Sequence, residues 1–121
     1  DEITHSAFLP SLVHVVGKLG LKSKAVEMAI SRGMPACMRG LRIGELIRVL
    51  SMLPTVVHRP STAFLQELFG PGTRCERELM DSHDQIIISV IVEAANRMAY
   101  SQLEFWELVL ATIPRESRAD I

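Results

Sequence analysis

One apolar spacing occurs three times in this chain, and it restricts the fold more than any other feature. Residues 9–19, 43–53 and 88–98 can be set side by side so that six columns are apolar in every row. The columns are Leu9/Ile43/Ile88, Leu12/Leu46/Ile91, Val13/Ile47/Val92, Val15/Val49/Ala94, Val16/Leu50/Ala95 and Leu19/Leu53/Met98. Within a row five of the six columns fall at i, i+3, i+4, i+7 and i+10, one face of an α-helix. The offsets are 34 residues (Leu12 to Leu46) and 45 (Leu46 to Ile91), inside the roughly 33–47-residue periods of helical-pair solenoids. Amphipathic helices can always be slid into apolar register, so a compact six-helix bundle without a repeat stays open as the alternative.

Local signals divide the chain into long and short helices. A first helix is expected over 6–19, with Pro10 in its first turn and Gly20 as its stop. Ser23 can cap a second helix that Gly33 and Pro35 end or bend, its inner face carrying Val26, Ala29 and Ile30. A third helix over 42–53 is expected to end at Pro54. Ser61 or Thr62 starts a fourth, with Phe64, Leu65, Leu68 and Phe69 inside, and Gly70-Pro71-Gly72 stops it. Residues 73–80 read as a short charged helix that lengthens the second period. Ser82 with Gln85 and Ser101 with Glu104 have capping-box spacing for two further helices, the last closed by Pro114. Phe105, Trp106, Val109 and Ile113 are its expected inner face. Ile86-Ile87-Ile88 would suit a strand, but the continuation to Met98 is too long for one. The expected fold is therefore all-α, one domain over 1–121, built as about three stacked antiparallel helix pairs (6–34, 42–70 and 82–114). Each pair would leave an apolar stripe that stacking covers.

The composition agrees with a globular helical chain: 48% of residues are hydrophobic and 22% charged, largely aliphatic and Met-rich. No apolar run approaches the roughly 18–20 residues that span a bilayer, so no membrane span is expected. The chain shows no signal or transit peptide and does not start with Met, which suggests a part of something longer. Cys37 and Cys75 form no CxxC pair and read as reduced thiols, which points to an intracellular or organellar-matrix compartment.

Charge is uneven. Between Lys18 and Arg59 eight Lys/Arg oppose Glu27 and Glu45, a net +6, whereas residues 60–121 carry −5. A basic first half allows an anionic partner on one side; a solvated surface with chance clustering is the other reading.

Signatures of catalysis and metal binding are weak. His5, His14, His58 and His83 have neither HxxxH nor HExxH spacing, and no cysteine completes a zinc set. Ser82-His83-Asp84 holds the residue types of a triad, but triads assemble in space, and these residues read as a helix start. The segment Phe69-Gly70-Pro71-Gly72-Thr73-Arg74 lacks the GK[ST] of a phosphate loop and reads as a turn. Glu76, Glu78, Asp81 and Asp84 lack the ligand alternation of a calcium loop. No enzyme, cofactor or metal site is expected.

The basic residues carry the functional reading. Lys18, Lys22 and Lys24 cluster at the first inter-helix turn, Arg42 and Arg48 lie on the second long helix, and Arg59 follows it. In the aligned rows His14 matches Arg48 and Glu93, and Lys18 matches Met52 and Arg97. Polar residues at one helix position in stacked units would line a common edge. There Lys18, Lys22, Lys24, Arg42, Arg48 and Arg59 could contact RNA phosphates, with Ser51 or Asn96 reaching base edges.

The stretches Leu12-Val13-His14-Val15-Val16-Gly17-Lys18-Leu19-Gly20 and Leu46-Ile47-Arg48-Val49-Leu50-Ser51-Met52-Leu53 resemble first helices of organellar helical-repeat proteins. Those are the octotricopeptide and heptatricopeptide families and the related FASTK/RAP-type mitochondrial proteins. The third copy departs from the Leu-Gly ending, with Asn96-Arg97-Met98, and no RAP-like tail is present. The resemblance implies a non-catalytic helical-repeat module in the mitochondrial matrix, acting in RNA processing or ribosome assembly. Its partners would be single-stranded or ribosomal RNA and the protein subunits of a larger assembly. The competing expectation is a protein–protein scaffold that takes a partner helix in an aliphatic groove.

Overall fold

The computed structural model describes residues 2–82 and 84–120, with side chains described for 9–82 and 84–113. About 79% of the chain is helical and no strand occurs among the described residues, so the fold is all-α. The elements are α1 (Glu2–Leu19), α2 (Lys24–Cys37), a 3-10 turn (Met38–Gly40), α3 (Ile43–Val56), α4 (Thr62–Phe69), α5 (Arg74–Asp81), α6 (Gln85–Arg97) and α7 (Leu103–Asp120).

Side-chain caps set most helix starts, because the first N–H groups of a helix have no partner within it. Ser23 Oγ accepts the Val26 N–H at 3.3 Å, Ser61 Oγ that of Phe64 at 3.1 Å, and Thr73 Oγ1 that of Glu76 at 3.3 Å. At α3 the Glu45 carboxylate accepts the Arg42 N–H at 3.1 Å. The expected Ser82–Gln85 box does not form. Asp84 caps α6 instead, accepting the Ile86 N–H at 2.8 Å, while Ser82 Oγ accepts the Asp84 N–H at 3.0 Å. Helix α7 starts at Leu103, one position later than a Ser101 cap would place it.

Pro35, expected to end or bend α2, lies inside that helix, and two prolines expected as stops also lie inside helices, Pro54 in α3 and Pro114 within Leu103–Asp120. An interior proline removes one ladder bond and costs about 3 kcal/mol. Apolar burial on the same segments offsets that cost at the first two. Ile30 and Met34 of α2 are fully buried, and Val56, beyond Pro54, is buried as well. Gly33 stays helical too; a methyl there would sit 2.5 Å from Leu9 Cδ1, so this glycine allows α1 and α2 to approach.

Helices α1, α3 and α6 lie side by side, α1 packing on α3 and α3 on α6. They run parallel. A Cβ on Gly17 would touch Met52, His14 shares a cavity with Arg48, and Arg97 bonds to Thr55. Helix α2 packs on α1 and α4, α4 on α5, and α5 on both α6 and α7. Between α3 and α6 the chain carries both α4 and α5, and α5 links α4 to the last two helices.

One core runs through all of these contacts, with Val13, Ile30, Leu46, Leu53, Phe69, Leu79 and Ile91 among its most deeply buried members. Most of the apolar columns lie in or against it. Val15 and Leu19 do not, being 46% and 66% exposed; among the described helices, α1 has α3 on one side of the row and none on the other. Ile43 is the first residue of α3 and is also exposed. Ala29 and Ile113 were expected inside and are exposed.

Candidate nucleic-acid interface

The outward polar face of the α1–α3–α6 row is built from residues one or two turns apart on each helix. Ser11 and His14 of α1 face Glu45 and Arg48 of α3 across a cavity of about 250 Å³ that Pro10 and Val15 complete. His14 Nδ1 is buried with no hydrogen-bond partner among the described residues. Buried polar atoms are normally paired, so this nitrogen is an exception among the described residues. One helix further on, Ser51 of α3 and Glu93 and Arg97 of α6 line a smaller cavity of about 60 Å³. Arg97 Nη2 donates to Thr55 Oγ1 at 3.1 Å, tying α6 to α3. Ser51 donates its hydroxyl proton to the Ile47 carbonyl at 2.7 Å, which leaves only oxygen lone pairs facing outward.

The six cations named from the sequence are all exposed, and their side chains make no ion pair among the described residues. They fall into three places. Lys18 is in the last turn of α1, and Lys22 and Lys24 bracket the start of α2. Arg59 belongs with them, because Glu27 of α2 accepts the backbone N–H groups of His58 and Arg59 at 2.9 and 3.4 Å. That carboxylate holds the loop after α3 against the first turn of α2. Arg48 lies in the middle of α3 beside His14. Arg42 precedes the first residue of α3, and the 14 residues of that helix separate it from the Arg59 end by about 20 Å.

Two members of this face, His14 and Arg97, stand in the aligned polar positions of the sequence but not among its six expected phosphate contacts. Arg97 was visible in alignment with Lys18, and its reach to Thr55 required the packing of α6 on α3. His14 Nδ1 became notable only once its environment proved to be without a partner. Asn96 is exposed on α6. Glu45 and Glu93 line the same cavities as Arg48 and Arg97 and locally oppose an anion.

Other clusters take structural roles. Arg74 Nη1 donates to the carbonyls of Leu41, Met38 and Arg39 at 2.7, 3.3 and 3.3 Å, and its Nε pairs with Glu78 at 2.9 Å. This residue, which follows the glycine-containing turn, therefore closes the 3-10 turn after α2. Cys75 is fully buried, and burial pushes its thiol up to about 12; half-buried Cys37 is shifted in the same direction, first by desolvation and then by Glu45. No disulfide joins them. No group of three or more His, Cys, Asp or Glu able to hold a metal ion occurs among the described residues. His5 has no described side chain and His83 lies outside the described residues, so the Ser82-His83-Asp84 grouping does too. No described helix is long and apolar enough to cross a membrane. Comparison with protein-family models, with curated proteins and with solved structures gives no match to this chain.

Proposed function

We propose that the chain is a non-catalytic α-helical repeat module that holds single-stranded or ribosomal RNA within an organellar, mitochondrial ribonucleoprotein. The observation that carries this reading is the parallel α1–α3–α6 row with its outward line of His14, Arg48 and Arg97. Lys18, Lys22, Lys24 and Arg59, at the α2 end of that row, make no ion pair among the described residues. Unpaired surface cations bind phosphate by releasing condensed counterions, without first breaking an intramolecular ion pair. The positive end of the α2 dipole adds to the potential around Lys22 and Lys24. Ser51 and Asn96 stand on the same helices, where they would meet bases splayed from a single strand.

Fluorescence anisotropy with a pool of single-stranded RNA, at low and moderate salt, tests the reading. The variant Lys18/Lys22/Lys24/Arg48→Glu runs beside the parent chain, and circular dichroism checks that both are helical. Salt-sensitive binding that the variant loses is the expected result. No binding at low salt by the folded chain overturns direct RNA contact.

One observation favours a protein scaffold as the second reading. Leu103, Leu110 and Ile113 lie at i, i+7 and i+10 on α7 and are 67%, 62% and 50% exposed. Such a stripe suits docking of a partner helix. Binding through it would change little with salt, which separates the two readings.

A further inference from the structure

The acidic half of the chain contains a cavity that the RNA reading leaves unused. It lies between α4, the 70–73 turn, α5 and the start of α7, and its volume is about 320 Å³. Phe69, Tyr100 and Phe105 form its aromatic wall. Their ring centroids make a closed triangle with sides of 5.4, 5.7 and 5.3 Å. Glu76 and Glu104 line the same space with Gln66 and Gln102, and no Lys, Arg or His is among its lining residues. The Tyr100 hydroxyl donates to Gln66 Oε1, fixing the ring and the amide together. Burial raises the Tyr100 phenol pKa, and the charges of Glu104 and Glu76 raise it further, so both carboxylates act on that side of the cavity.

We propose that this cavity binds an organic monocation, a guanidinium or alkylammonium group on an apolar stem, as an arginine or lysine side chain presents it. Neither carboxylate has a counter-cation among the lining residues, and among the described residues Glu76 accepts only the Gly72 N–H, at 2.9 Å, which favours a positive charge. The ring edges that line the cavity and Leu108 give the stem an apolar wall. A bare metal ion fits poorly, because Glu76 and Glu104 supply two carboxylates where a hard cation takes six or more oxygens. The site is independent of the basic face: charge reversal at Lys18, Lys22, Lys24 and Arg48 leaves it intact.

The test is a titration of the full chain, followed by NMR shifts of the Gly70 and Gln102 backbone amides and of the Gln66 side-chain amide. A second reporter is the Trp106 indole, which donates to the Tyr100 carbonyl at 2.8 Å. The probes are methylguanidinium, the blocked peptide acetyl-Ala-Arg-Ala-amide and its citrulline counterpart. Saturable shifts with the arginine peptide and none with the citrulline peptide are expected. Glu104→Gln should weaken binding by about fivefold, whereas Glu107→Gln, on the same helix outside the cavity, should leave it unchanged. Tighter binding of the peptide than of methylguanidinium identifies a protein-borne side chain as the ligand; equal binding identifies a small free cation. Equal shifts from the citrulline peptide, or no shift at millimolar cation in the folded chain, would overturn the proposal.

Discussion

Arg74 and Leu41 are 33 positions apart in sequence, yet the guanidinium of the first donates to the carbonyl of the second at 2.7 Å. The same nitrogen reaches the Met38 and Arg39 carbonyls, so one side chain gathers three carbonyls of the 3-10 turn that follows α2 and of the residue after it. Glu78, one turn along α5, holds the other side of the fork. The contact joins the first half of the chain to helix α5.

Replacing Arg74 by Met should therefore destabilise the fold by about 2–3 kcal/mol, the range for hydrogen bonds to a charged group that strand their acceptors when lost. Arg74→Lys should restore little of this, because a point ammonium cannot present the planar fork that reaches both Glu78 and Leu41. Urea unfolding would show it as a lower midpoint at unchanged slope. An unchanged midpoint would mean that solvent already satisfies those carbonyls.

Helices α1 and α6 end in the same way with different residues. Gly20 has φ +67° and Ala99 has φ +59°. The following N–H closes back in each case, Leu21 onto the Val16 carbonyl at 3.2 Å and Tyr100 onto the Ala95 carbonyl at 2.9 Å. Ala99 occupies the register of Gly20 in the aligned rows and adopts its left-handed backbone despite its Cβ, which costs about 1 kcal/mol. Ala99→Gly should stabilise the protein by roughly 0.5–1 kcal/mol, and Gly20→Ala should destabilise it by a similar amount. Thermal unfolding of the two variants should shift in opposite directions. A Gly20→Ala protein as stable as the parent would rule out the left-handed stop.

Much of this could be read from the residues, and the exceptions have physical causes. Val13, Leu46, Leu50 and Ile91 were placed inside by their spacing and are inside. Val15 and Leu19 have the same spacing but lie on the outermost helix of the row, a property of neighbours and not of α1. Pro35 and Pro54 carry a strong local preference for ending helices, and burial of Met34 and Val56 outweighed it. The basic residues were legible as charges, but their grouping was not. It depends on Glu27 drawing the His58–Arg59 backbone to α2, a pairing across 31 positions. The aromatic wall was hidden for the same reason, since Phe69, Tyr100 and Phe105 meet only when α4 and α7 flank one cavity.

The buried thiol of Cys75 gives the fold a dependence on alkaline pH. Its ordinary value is 9.0, and burial pushes it up to about 12 in the folded chain. Between those values the unfolded chain releases a proton that the folded chain keeps, so the folded state binds more protons and stability falls as pH rises. The contribution is fully present below pH 9 and is lost progressively above it, up to about pH 12. Denaturant midpoints at pH 8 and pH 10.5 should differ less in Cys75→Ala than in the parent chain, although the variant is less stable at both. In the folded chain at pH 8, a thiol reagent should modify half-buried Cys37 before Cys75, which should react only on unfolding.

If RNA binds the α1–α3–α6 face, the six exposed cations should not contribute equally, because the fold does not gather them into one patch. Lys22 stands with Lys18, Lys24 and Arg59 at the end of the row that Glu27 pins together. Arg42 stands at the opposite end of α3. A strand that crosses the outward polar line between Arg48 and the Lys22 end stays clear of Arg42. Lys22→Glu should therefore weaken binding several-fold at low salt and lower the magnitude of the salt slope by about 1, the signature of losing one phosphate contact. Arg42→Glu should change affinity by less than about twofold, the size expected from long-range charge alone at moderate salt. Anisotropy titrations of both variants across a salt series decide the matter. If instead both reversals lower affinity and slope equally, the RNA follows the whole length of α3, and binding cannot be confined to the α2 end of the row.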